Sequence, residues 1–115
     1  MKGSGVMLIV SPNGEIKLTR GDTAWLTVTL TDDEKQPYTM QAEDTLTLAV
    51  KITTRAKECL LRKVIKGNNV FHIKPEDTKD LIFGRYVYDV QIDTADGDSY
   101  TVIPFTCFEI MDEVG

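Results

Sequence analysis

Apolar and polar residues alternate with a period of two along much of the chain. In Ala24–Thr31, Leu26, Val28 and Leu30 point one way and Thr27, Thr29 and Thr31 the other. Such alternation, rich in β-branched residues, predicts a strand with one dry face and one wet face. Leu46–Thr53 repeats it with Leu46, Leu48, Val50 and Ile52 inward, and Tyr86–Asp93 with Tyr86, Tyr88, Val90 and Ile92 inward. Shorter strands are predicted at Glu15–Thr19, Leu60–Ile65 and Val70–Ile73, the last two joined by Lys66-Gly67-Asn68-Asn69 as a hairpin turn. Tyr100–Ile110 is a long strand holding Pro104, which lacks an N–H for the ladder and so predicts an edge or a bulge. Before it, Ala95-Asp96-Gly97-Asp98 contains Asp-Gly, the signal of a two-residue hairpin loop. One helical segment of one or two turns is expected at Pro75–Leu81, with proline first, acidic residues next and Gly84 beyond.

Seven or eight regularly spaced strands with one helical turn predict an all-β fold, an immunoglobulin-like antiparallel β-sandwich. The 115 residues suit one domain, with residues 1–14 a peripheral strand or arm. A tyrosine soon after the acidic turn matches the tyrosine corner of such folds, where a phenol hydroxyl bonds back to nearby backbone. Tyr86 and Tyr88 both qualify. The alternative is that both fill the core with their hydroxyls at its rim.

Composition narrows function mainly by exclusion. Hydrophobic residues make up 42 % and charged residues 27 %, which argues against wholesale disorder. A net charge of -5 disfavours sequence-independent binding to nucleic acid, which needs a basic excess. The run Val6–Val10 is five residues long, short of a signal-peptide core or a membrane span, so neither is expected. The two cysteines, Cys59 and Cys107, and the single histidine, His72, make a poor zinc set. Reduced thiols are the expectation, with a Cys59–Cys107 disulfide as the alternative.

His72 belongs to the residue type best suited to proton transfer near neutral pH. Its place between inward-facing Phe71 and Ile73 predicts a solvent-facing strand residue. No nucleophile elbow, phosphate-binding loop or zinc-protease motif is present, so no catalytic residue, cofactor or metal is expected. Asp93, Asp96 and Asp98 are oxygen donors near a hairpin tip, a position the turn already explains. The run Asp32-Asp33-Glu34-Lys35 suits a solvated turn, and Arg20-Gly21-Asp22 an ordinary strand entry. Trp25 falls on the threonine face of its strand. It is a candidate sugar platform or protein anchor unless a loop covers it or a bulge turns it inward.

Four stretches together carry a resemblance: Ile16–Thr23, Leu46–Lys51, Pro75–Leu81 and Gly84–Val90. In order and spacing they resemble the immunoglobulin-like N-terminal module of the phage baseplate upper protein and its small stand-alone relatives in prophages of Gram-positive bacteria. The resemblance covers roughly residues 15–112. It implies a non-enzymatic virion part, such as a tail, baseplate or head-accessory module. Such a part would reside in the virion, or in the host cytoplasm before assembly, and would partner other virion proteins or further copies of itself. From charge and the short apolar run, neither nucleic-acid nor membrane binding is expected. The sequence matched here continues into no coiled coil, so the expectation is an adaptor or decoration role. The alternative reading is a β-sandwich module that binds cell-surface carbohydrate through Trp25.

Overall fold

Each of these alternating stretches forms a strand in the computed structural model, which describes residues 14–30 and 36–112. The strands are β1 (Ile16–Thr19), β2 (Ala24–Thr27), β3 (Thr45–Lys51), β4 (Leu61–Lys66), β5 (Val70–Ile73), β6 (Gly84–Asp93) and β7 (Ser99–Met111), with helix α1 (Pro75–Thr78) before β6. Val6–Val10 and Asp32–Lys35 lie outside the described residues, as does the proposed N-terminal arm apart from Gly14.

Two sheets result. The larger has the order β1-β7-β6-β3-β4 and the smaller pairs β2 with β5. The run β7-β6-β3-β4 and the β2–β5 pair match the G-F-C-C′ and B–E neighbours of a variable-type immunoglobulin sandwich. All neighbours are antiparallel except β1 and β7, which run parallel from Ile16↔Phe108 to Thr19↔Met111. The inward residues of both sheets meet in one core. Leu26, Leu48, Val50, Phe71, Ile73, Tyr88 and Phe108 are fully buried, and the Tyr88 ring meets the Phe108 ring edge-on at 5.8 Å. Burial of each such side chain contributes about 1.5–3 kcal/mol.

Several local expectations are corrected. β4 and β5 are not a hairpin, because β4 pairs with β3 and β5 with β2. The turn at Gly67, with φ +73°, instead carries the chain from one sheet to the other. It is held by Gly67 N–H donating to the Asp44 carbonyl at 2.9 Å and by Asn69 Nδ2 donating to the Val28 carbonyl at 2.9 Å. The helix stops at Thr78 rather than Leu81, and a further turn follows in which Leu81 N–H donates to the Thr78 carbonyl. Ladder pairing in β2 ends at Thr27, although Val28 and Leu30 still point into the core. Ile52 lies past the end of β3 and is 61 % exposed instead of inward.

The β6–β7 loop is one residue longer than Asp-Gly alone implies. Gly97 N–H donates to the Thr94 carbonyl and Thr94 N–H to the Asp98 carbonyl, with Gly97 at φ +94°. That is the three-residue loop with a glycine bulge. Pro104 sits where its missing N–H costs no ladder bond. Between Tyr88↔Thr106 and Val90↔Ile103 the register shifts, so Pro104 and Phe105 bulge opposite Asp89, and β1 reaches only as far as Phe108 on the other side of β7.

Candidate interaction surfaces

The outer face of the small sheet carries an aromatic stack. β2 and β5 place Trp25 directly opposite His72, and the two rings lie 3.9 Å apart and 5° from parallel. Both side chains are half-buried. Trp25 therefore faces outward, with His72 stacked on one side of its indole. Sequence reasoning considered the two residues separately, because only the register brings them together.

The outer face of the large sheet is built from cross-strand rows. Lys66, Thr45 and Asp93 are direct neighbours across β4, β3 and β6; Val64, Thr47 and Gln91 form the next row, and Arg62, Ala49 and Asp89 the third. Below them Lys51, Val87 and Cys107 continue across β3, β6 and β7. The charged rows have the same order, basic then small then acidic. The segregation holds for the wider chain. Residues 51–66 contain six basic side chains and one acidic, Glu58, whereas residues 86–112 contain six acidic side chains and none basic. Val64 is 55 % exposed and Phe105 41 %, and the Lys51 ammonium lies 5.7 Å from the Phe105 ring centre. Burial pushes the Asp89 carboxyl above its ordinary range, with the Lys51 charge opposing that shift. Lys66 also meets Glu43 at 3.0 Å, a pair exposed to water.

The two tyrosines separate by role. The Tyr86 hydroxyl donates to the Ile82 carbonyl, four residues upstream, which is the tyrosine-corner bond. The Tyr88 hydroxyl donates to the Gly14 carbonyl, and burial pushes its pKa up to about 12. The corner is pinned further by the Arg20-Gly21-Asp22 turn. Gly21, at φ +86°, donates its N–H to buried Thr78 Oγ1 at 2.8 Å. The Arg20 guanidinium donates to the Leu81 carbonyl at 3.3 Å and lies over the Phe83 ring at 5.0 Å. This tripeptide is thus a structural turn with its arginine engaged.

Two carboxylates anchor the ends of the sandwich: Asp77 of the acidic turn before the corner, and Asp44, which carries no signal in the sequence. Asp44, 1 % exposed, accepts hydrogen bonds from the Tyr38 hydroxyl (2.5 Å), Gln41 N–H (2.9 Å) and Ala95 N–H (3.1 Å). The Tyr38 and backbone bonds hold its carboxyl below the ordinary range despite burial, and in return Tyr38 is raised. Asp77 accepts from Lys63 Nζ and from Lys74 N–H, both at 2.8 Å. Burial favours its neutral form, but these donors hold the carboxyl below its usual value. The Asp77 bond to Lys74 N–H is a local cap of α1, whereas its Lys63 partner lies 14 positions away and the Ala95 donor to Asp44 51.

Cys59 is exposed, Cys107 is half-buried, and both thiols are free. At the hairpin tip the Ser99 hydroxyl donates to Asp93, and Asp98 N–H donates to Thr94 Oγ1. Among the described residues, no three His, Cys, Asp or Glu side chains gather as a metal set, and no helix is long and apolar enough to cross a membrane. No protein-family model matches the sequence, and no curated protein matches it.

Proposed function

We propose that this domain is a non-catalytic subunit of a phage or prophage particle, in the tail, baseplate or head accessory structures, working by protein–protein assembly. The observation that carries the reading is the outer face of the large sheet. It presents exposed Val64 and Phe105 among segregated charges, and β4 at its border pairs on one side only among the described residues. Open strand edges and apolar side chains set among charges are features of surfaces that pair with other proteins. The four stretches that resemble the baseplate module form β1 with the turn after it, β3, α1 and β6, and so build the corner and the centre of this sheet. On this reading the chain resides in the virion, or in the host cytoplasm before assembly. It needs no cofactor and binds neither nucleic acid nor membrane.

The test is particle composition. Particles are induced from the source bacterium, purified on a density gradient and analysed by quantitative mass spectrometry. The expected result is this chain at a fixed copy number per particle. Its recovery only in the soluble fraction, with particles of normal composition otherwise, overturns the proposal.

A further inference from the structure

We infer that the outer face of the large sheet binds a second copy of this chain, face to face, about a two-fold axis lying over β3 and parallel to the strands. The inference rests on the reading of this face as an assembly surface and names the partner. The argument is in the rows. Lys66–Thr45–Asp93 and Arg62–Ala49–Asp89 each run basic, small, acidic across three neighbouring strands. Such an axis lays β4 of one copy over β6 of the other and keeps each row at its own level. Every charged row then meets itself reversed. Arg62 falls toward Asp89 of the second copy, and Lys66 toward its Asp93, twice over by symmetry. Thr45 and Ala49 at the centre are small enough to let the sheets approach, while Val64 supplies apolar contact within the overlap and Phe105, on β7, lies at its border. An axis across the strands would instead set β4 on β4 and oppose like charges. The packing thus selects a single orientation.

The charge order favours another copy over an anionic polymer. A polymer would be served by the basic β3–β4 side alone and repelled by the acidic strands beside it. The rows on these three strands span roughly 15 by 20 Å, so two copies cover about 600 Å² before side-chain relief is counted. That is below the roughly 1,200–2,000 Å² of stable specific interfaces, so charge complementarity carries the contact and the dimer is expected to be weak, dissociating at roughly 100 µM.

The test is a charge swap read by sedimentation equilibrium from about 1 µM to 1 mM. The wild-type chain is expected to move from 12.9 kDa toward twice that mass, with the midpoint shifting at least tenfold between low salt and 0.5 M NaCl. Arg62→Glu with Lys66→Glu makes both charged rows acidic at each end. Asp89→Lys with Asp93→Lys makes both basic at each end. Each double variant is expected to stay monomeric alone, and an equimolar mixture to form a heterodimer. Circular dichroism and thermal melts establish that both are folded. If either fails to fold, the single variants Arg62→Glu and Asp89→Lys are used in the same way. A wild-type chain monomeric at 1 mM in low salt overturns the inference, as do a dimer unaffected by either variant and a mixture that fails to associate. Particle incorporation is scored separately. A monomer found in particles refutes the dimer and spares the assembly reading. A dimer absent from particles does the reverse.

Discussion

Replacing Asp44 with asparagine tests the account of how the β3 entrance is held. The native carboxylate accepts three donors, with Tyr38 and Gln41 on Oδ2 and Ala95 on Oδ1. An amide offers one oxygen. Whichever way it turns, at least one donor faces the NH₂ group, and the remaining bonds lose their charge. A hydrogen bond to a charged group contributes about 1.5–3 kcal/mol and a neutral one about 1 kcal/mol. Losing one and weakening the others therefore costs about 2–4 kcal/mol at pH 7. For a chain of this size that lowers Tm by roughly 8–16 °C. The pH dependence has a definite sign. Because the folded Asp44 carboxyl titrates below the unfolded value of about 3.9, its stabilisation is complete above about pH 5 and drains away as pH falls through the folded value. The stability gap between wild type and Asp44→Asn should therefore narrow steadily from pH 5 to pH 3. Urea unfolding followed by circular dichroism at half-unit pH steps measures it. A gap under about 0.5 kcal/mol at pH 7, or one unchanged at pH 3, refutes the reasoning.

Two further outcomes follow from named contacts. Tyr86→Phe removes the hydroxyl that donates to the Ile82 carbonyl at the corner; it should cost about 1–2 kcal/mol in urea unfolding, and a loss within experimental error would contradict a structural corner. A double-mutant cycle on Trp25→Ala and His72→Ala should return a coupling of about 0.5–1.5 kcal/mol, as stacked rings at 3.9 Å require, and a coupling near zero would dissolve the stack.

What the sequence disclosed was set by how local each signal is. Period two marks a strand from its own residues, and Tyr86, Tyr88, Val90 and Ile92 are all inward and buried as the alternation requires. The pattern weakens where the strand runs out. Ile52 keeps the period, yet it lies one residue past the end of β3 and outside its ladders, and it faces solvent. Turn chemistry at Lys66–Asn69 predicted a reversal correctly in kind but assigned it to a hairpin. Gly67 and Asn68 suit a tight turn either way, and the alternative partners, β3 and β2, lie elsewhere in the chain. Asp44 is alike: Tyr38 and Gln41 are near it in sequence, but the Ala95 donor that ties it to the β6–β7 loop is 51 residues distant.

The candidate surface lies at the far end of this scale. Alternation alone shows that Arg62, Ala49 and Asp89 each fall on the polar side of a strand. It cannot show that they form one row, because a row exists only after two ladders fix their registers independently. A one-residue slip of β4 against β3 would turn Arg62 and Lys66 inward and bring Lys63 out, destroying the basic-small-acidic order. That slip is opposed by Leu61 and Ile65, which pack against the core from β4, and by Lys63, whose ammonium is held at 2.8 Å by Asp77 at the helical turn. The buried side of β4 thus fixes the register that arranges charge on its exposed side. Core packing and partner recognition are in this way two consequences of a single strand alignment.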